Sequence, residues 1–447
     1  MAYLFNTPED QRGMLEAIGA RSLDELFASI PDAMRLRRPL DLPAALGEQE
    51  LTRTLQRIAG NNQSTQQLVC FLGAGAYDHF IPAVVDAIAS RSEFYTSYTP
   101  YQPEVSQGNL QVTFEYQTLV CQLAGLDVAN ASLYDGASAA AEAVLLCMSA
   151  TERPKRVVAA ASVHPQYREV IRTYFANLGA ELVVVDTPTG RVSPADLARA
   201  VDSDTACVLL QQPNFFGAVE DLETLAKVAH DAGAMVAVSF DPISVGLLKT
   251  PGDCGADVAV AEGQSLGSPL QFGGPYLGLM ACREPFVRRL PGRIAGQTVD
   301  RDGRRCWVLT LQTREQHIRR DKATSNICTN EGLFALRAAV YLATVGRQGL
   351  RETAELCVWK TAYARDRLAG SQRYELRFPQ RTFKEFLVRD RRGDVAGVLD
   401  TARRQGILAG VPVGRWYPEL ADCFLVAVTE QRTRDEIDRW FEVLESA

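Results

Sequence analysis

The chain has 447 residues, enough for two or three domains around a large core. Lys and Arg number 47 against 54 Asp and Glu, a net charge of −7, which leaves no basic surplus for nucleic acid. With 47% hydrophobic and 23% charged residues the composition is that of a globular protein, not of a disordered or fibrous one.

The apolar stretches stop short of the ~18 to 20 residues of a membrane span, and the first residues, Met1 to Gln11, lack the basic flank and apolar run of a signal peptide. No membrane contact and a cytoplasmic location are therefore expected. The ten cysteines are scattered with no CxxC pair, which reads as free thiols in a reducing compartment and predicts no metal site.

In chain order, Thr7-Pro8-Glu9-Asp10 predicts a capped helix start, and Ser22-Leu-Asp-Glu25 a second helix opened by a capping box. Residues 1–65 read as a helical arm or subunit-contact segment. From about residue 66 short β-branched runs alternate with amphipathic helices. Strands are expected at Arg156 to Ala161, Glu181 to Asp186, Ala206 to Gln211, Met235 to Phe240, Asp257 to Ala261 and Leu277 to Cys282. Helices are expected at Ser138 to Ser149, at Gln166 to Leu178 and after the Ser193-Pro194 cap. This alternation implies a largely parallel sheet covered on both faces, within a large domain of residues 66–335. Residues 336–447 read as a long helix, starting near Asn330 and ending near Leu368, and a small α/β domain. In it Phe386-Leu-Val and Phe424 to Val428 are strands, and Thr433-Arg-Asp-Glu436 caps the last helix.

Several segments bear on chemistry. Leu72-Gly-Ala-Gly75 lacks the third glycine of a dinucleotide fingerprint. Tyr134-Asp-Gly-Ala-Ser138 leads into a helix and reads either as a phosphate cradle or as ordinary capping by Ser138. Asp241 follows a strand, where ligands of open α/β sheets bind, and suits a protonated pyridine nitrogen such as that of pyridoxal phosphate (PLP). His164 either stacks on such a ring or caps a helix.

A PLP enzyme also needs a lysine to anchor the aldehyde. The loop after Asp257-Val-Ala-Val-Ala261 should carry it, yet reads Glu262-Gly-Gln-Ser265 and on to Gly274 without one. Lys249 precedes that strand and reads as a surface residue. The loop Phe94 to Gly108, with Tyr98, Tyr101, Gln102 and Glu104 between prolines, suits a small polar substrate or is a braced surface loop. Thr313 to Asn326 begins with a capping box and carries several cations. Its Thr324-Ser325-Asn326 cluster could donate to an anion, or the run is a solvated helix face.

Three segments together, Tyr98-Thr-Pro-Tyr-Gln-Pro-Glu-Val-Ser-Gln-Gly108, Leu126-Asp-Val-Ala-Asn-Ala-Ser132 and Leu311 to Thr329, resemble the glycine decarboxylase, or P-protein, family of the glycine cleavage system. The likeness runs from Asn6 to the C-terminal domain and is to the N-terminal half of the long single-chain form, which is subunit 1 (alpha) of the two-subunit form. It implies an α/β chain of PLP fold type I, aspartate aminotransferase-like, with a small C-terminal α/β domain. It also implies an oxidoreductase of glycine catabolism that decarboxylates glycine and passes the aminomethyl group to the lipoyl arm of the H-protein. The PLP lysine is then carried by a separate beta subunit, the expected assembly is a heterotetramer, and the partners are that subunit, lipoylated H-protein and glycine.

On this resemblance Tyr98, Thr99, Tyr101, Gln102 and Glu104 face the substrate across the interface. Thr324, Ser325 and Asn326 approach the partner's PLP phosphate, and His164 and Asp241 are remnants of a cofactor cup. Two alternatives stay open: a catalytically silent scaffold for the beta subunit, and an independent PLP enzyme using Lys249 or Lys322.

Overall fold

The computed structural model describes residues 5–153, 155–323 and 325–447. Two compact units are present, Met1–Gln63 and Ser64–Ala447.

In the first unit Thr7 and Asp10 close the expected capping box at Pro8–Ala17, with Thr7 Oγ1 accepting from the Asp10 N–H at 3.1 Å. The second capping box does not form. Leu23–Phe27 is a 3-10 turn and the Ser22 hydroxyl caps nothing. The Glu25 carboxylate, which would have to return to Ser22, takes the Arg21 N–H at 2.7 Å instead. A helix at Glu48–Ala59 completes this unit, and no described residue within 5–63 is buried.

The second unit is built on a seven-stranded sheet. Its order is Val128–Ala129, Gly278–Cys282, Val258–Glu262, Met235–Phe240, Thr205–Gln212, Arg156–Ala160, Glu181–Val185. The last five strands are parallel. Every residue of Met235–Phe240 is buried, as a strand covered on both faces requires, and this explains the unbroken apolar runs in the sequence. Gly278–Cys282 returns antiparallel, because the chain from 263 to 277 supplies no crossover helix. The helix Gly136–Thr151 is capped by Asp135, whose carboxylate accepts from the Ser138 N–H at 2.7 Å. Capping by Ser138, one of the two readings of this turn, does not occur, since the Ser138 N–H is the donor and Asp135 the cap.

The long helix Gly332–Leu368 is interrupted at Gly346, whose φ of 59° breaks the helical path. Beyond it lies a four-stranded antiparallel sheet in the order Tyr374–Leu376, Glu385–Asp390, Cys423–Ala427, Val411–Pro412. The helices Val395–Arg404 and Arg434–Ser446 cover it around a core containing Phe71, Phe386, Phe424 and Trp440. Val69–Cys70 pairs in parallel with Ile407–Leu408, so the Leu72–Gly75 loop leaves from the C-terminal part of the fold. The hairpin Ile294–Val299 with Arg305–Thr310 was not foreseen. Among the described residues no helix is long and apolar enough to cross a membrane.

Candidate functional site

Two places bear the residues singled out in the sequence. The first joins the 98–108 and 311–330 segments. Gln107 clamps the hairpin: its side chain donates to the Trp307 carbonyl at 2.8 Å and accepts from the Trp307 N–H at 2.9 Å. Tyr101 is held on two sides. Its hydroxyl donates to Asn330 Oδ1 at 2.9 Å, and the Arg293 guanidinium lies 4.0 Å over its ring. Asn330 in turn donates to the Ala131 carbonyl at 3.3 Å, and the Cys328 N–H donates to the Tyr134 hydroxyl at 3.1 Å. A cavity of about 190 Å³ remains, lined by Tyr101, Arg293, Gln316, His317 and Cys328 among others.

Tyr98 is 93% exposed, and Thr99, Gln102 and Glu104 are exposed beside it. Ser325 Oγ accepts from the Ile327 N–H at 3.0 Å, while Asn326 is exposed. Thr324 lies outside the described residues. The expected capping box at Thr313 does not form. Gln312–Arg314 is a 3-10 turn, because the Arg314 side chain is drawn inward to the carbonyls of Leu290 and Gly292.

The second place is the crevice at the carboxyl ends of the parallel strands, where open α/β sheets bind ligands. Asp241, Gln211, Glu262, Ser265 and His164 all reach it, with about 40 Å³ of free space left. Asp241 Oδ2 lies 2.7 Å from Lys384 Nζ, and that ammonium also sits 3.0 Å from His79 Nε2 and 3.5 Å over the Tyr77 ring. The Lys384 ammonium has only protons to offer, so His79 Nε2 accepts and the ring proton is on Nδ1. There it is donated to Glu430 at 2.6 Å. Cys357 adjoins this pair, but the cluster is closed by hydrogen bonds and by the ammonium, an arrangement unsuited to a cation.

His164 caps the helix Pro165–Phe175 through Nδ1 and donates from Nε2 to the Ala74 carbonyl at 2.8 Å. One face of its ring stacks on Tyr167 at 4.7 Å, and burial depresses its pKa to about 4, so it is neutral. Glu385 binds the Ala74 N–H at 2.7 Å and the Tyr77 hydroxyl at 2.8 Å, and burial pushes its carboxyl up to about 7. Ala74 has a φ of 61°, held from both sides by Glu385 and His164. Gly73 is required because a Cβ there would lie 2.3 Å from Glu385 Oε1. The Gly-Ala-Gly signal therefore marks close packing of backbone on side chains.

Glu262 accepts from the N–H groups of Gly136, Gln264 and Leu277 at 3.0, 3.0 and 3.1 Å, and burial lifts it to about 7. Lys384 and Glu385 were missed in the sequence, since they sit 143 and 144 residues beyond Asp241, just before the recognised Phe386-Leu-Val run. Only the tertiary fold brings them in. The residues of this crevice do not fit a covalently held aldehyde coenzyme. Ser265 has no amine, and Lys384 is bonded to the acid that would face the ring nitrogen, at the opposite end of a pyridine ring from its aldehyde. Lys249 lies at the surface, 2.5 Å from Glu223, and Lys322 is exposed.

The family model "Glycine cleavage system P-protein" matches residues 1–444. The probable glycine dehydrogenase (decarboxylating) subunit 1 of Desulforamulus reducens is 52% identical over 98% of each chain, and that of Geotalea daltonii is 48% identical over the whole of both. The crystal structure of an inhibitor-bound glycine decarboxylase (P-protein) of the glycine cleavage system is 44% identical, superposes with a TM-score of 0.90 and covers both chains fully. A sphingosine-1-phosphate lyase from Burkholderia pseudomallei has a TM-score of 0.65 at 16% identity and 93% and 94% coverage, a likeness of fold alone. The fold is thus that of PLP fold type I, and the chain belongs to the glycine cleavage system P-protein family.

Proposed function

We propose that this chain is subunit 1 of a two-subunit glycine dehydrogenase (decarboxylating), and that it completes an active site whose PLP is carried by the second subunit. The observation that carries this is full-length similarity to subunit 1 proteins in a chain whose crevice has Ser265 where the coenzyme's aldehyde would need an amine, its one lysine, Lys384, being bonded to Asp241 at the opposite end. When bound, PLP supplies the sink for the electrons left on glycine as carbon dioxide departs. The expected acceptor of the aminomethyl group is the oxidised, disulfide form of the lipoyl arm of the H-protein, the second expected partner, whose S–S bond opens to one C–S bond and one thiol.

In this reading Tyr101 is the fixed member of the substrate wall, immobilised by Arg293 and Asn330. Tyr98, Thr99, Gln102 and Glu104 are the mobile-side-chain members that the partner covers, which fits a tyrosine left almost wholly exposed here. Thr324, Ser325 and Asn326 face the partner's coenzyme phosphate. His164 and Asp241 are remnants of this chain's own cup. Residues 1–65 are the arm that holds the second subunit, 66–335 the large domain and 336–447 the long helix with the small domain. The assembly is a heterodimer that pairs again, in the cytoplasm.

The test is to prepare this chain with and without its partner subunit and to measure PLP content and exchange of labelled bicarbonate into glycine. Exchange is expected in the mixture alone. Exchange by this chain unaided would overturn the proposal, and a partner subunit as active alone as in the mixture would reduce this chain to a scaffold.

A further inference from the structure

A cup for a phosphorylated pyridine aldehyde has three needs: a carboxylate for the ring nitrogen, free N–H groups at a helix start for the phosphate, and an amine for the aldehyde. In this chain each position is already taken by the chain itself. At the ring-nitrogen end, the buried Lys384 ammonium binds Asp241 at 2.7 Å, with His79 at 3.0 Å and the face of Tyr77 at 3.5 Å filling its remaining sides. At the helix start, the Gly136 N–H donates to Glu262 at 3.0 Å and the Ser138 N–H to Asp135 at 2.7 Å. Two carboxyl groups thus hold two of the donors that a phosphate would seek. Ser265, 4% exposed, stands at the amine position. The free space is about 40 Å³, room for a water molecule or so and far below the roughly 300 Å³ of even a small ligand pocket.

The elements that supply these groups show what the arrangement does. Lys384 and Glu385 enter the crevice from the start of the small-domain strand Glu385–Asp390. Asp241 and Glu262 end strands of the large sheet, and Tyr77 and His79 come from the segment after Gly75. Cation and anion from the two parts of the fold therefore meet inside the crevice. The charged side chains of the crevice all find partners within the chain, Asp241 with Lys384, Glu262 with backbone N–H groups and Glu385 with Ala74 and Tyr77, so no counter-charge is left for a ligand to supply.

We propose that this crevice is a self-occupied cofactor cup: Lys384 stands where a pyridinium would pair with Asp241, and Glu262 with Asp135 stands where a phosphate would cap the helix. Its role is to clasp the small domain to the large sheet. This goes beyond the proposed activity and concerns the chain alone, so its test reads no turnover.

The full-length chain is exposed to formaldehyde with dimethylamine borane, and lysine methylation is followed peptide by peptide. Lys384 is expected to lag the exposed Lys227 and Lys249 by about a hundredfold or more, as a residue reached only through opening of the fold. In parallel, pyridoxamine 5′-phosphate, which has no aldehyde to react with surface lysines, and inorganic phosphate are expected to leave the melting temperature unchanged. Lys384→Met is expected to lower the melting temperature, and adding Asp241→Asn to restore at least half of the loss, because the unpaired buried acid is then neutral. Methylation of Lys384 at the surface rate, or a saturable shift with pyridoxamine 5′-phosphate that Asp241→Asn abolishes, would overturn the proposal. So would additive losses in the two substitutions. If Lys384→Met does not fold, the labelling and ligand measurements on the unaltered chain decide alone.

Discussion

Tyr101 is restrained more tightly than an ordinary loop tyrosine, by a cation on its ring and an amide on its hydroxyl. Tyr101→Phe keeps the ring contact and removes one partly buried hydrogen bond, which costs stability only about 1 kcal/mol. If the ring is positioned for substrate, glycine–bicarbonate exchange by the two-subunit enzyme should fall about tenfold or more, equivalent to ~1.4 kcal/mol of barrier. Exchange unchanged in that variant, with an unchanged melting temperature, would remove Tyr101 from the site. A second effect at this scale concerns pH. Burial raises Glu142, Glu262 and Glu385 to about 7, against an ordinary value of 4.5. The folded chain then holds more protons than the unfolded one between about pH 4.5 and 7. Their contribution to stability is full below the lower value and is lost as pH rises to the upper one. Glu262→Gln should flatten that loss by something on the order of 1 to 3 kcal/mol between pH 5 and 8. Denaturant midpoints at the two pH values measure it, and equal losses in both proteins would contradict the assignment.

At the scale of elements, the small domain is joined to the sheet through places where no side chain is admissible. Gly217 has a φ of 81°, and a Cβ there would lie 1.9 Å from the Glu385 carbonyl oxygen. Gly217→Ala should therefore displace the strand Glu385–Asp390 and cost about 2 to 4 kcal/mol, combining backbone strain with a clash. Gly108→Ala, inside the helix Gln107–Ala124 and with nothing within 4 Å of the added carbon, should be neutral or stabilising by up to about 1 kcal/mol. Thermal melts of the two variants give the comparison, and a neutral Gly217→Ala would mean the strand has slack.

The sheet strands and the main capping boxes at Thr7 and Thr433 were legible because their signals are local: buried runs, and a hydroxyl three residues from an acid. Asp241 was legible as a strand-end acid. Its partner was not, because Lys384 lies beyond a different domain's worth of chain and carries no periodic signal of its own. Likewise, Ser22 has the letters of a capping box, and only geometry shows that Glu25 prefers Arg21.

At the scale of the whole molecule, Met1–Gln63 has the composition of an element that packs but no described residue that is buried. Phe5, Met14, Leu26, Phe27, Met34 and Leu42 are among its exposed apolar side chains. An isolated segment of this kind gains little from its own packing and its short helices are marginal in water, so its order must come from a covering surface. If that surface is the second subunit, trypsin should cut the free chain early after Arg37, in a stretch without helix or strand, the Arg38–Pro39 bond being resistant to the protease. Addition of the second subunit should slow that cleavage about tenfold or more, while sites such as Arg301 and Arg304, in the exposed turn between the hairpin strands Ile294–Val299 and Arg305–Thr310, serve as an internal reference. The decisive quantity is the ratio of the two cleavage rates with and without partner. A ratio that does not move would show that residues 1–65 are not the arm that holds the partner, even if the mixed subunits are active.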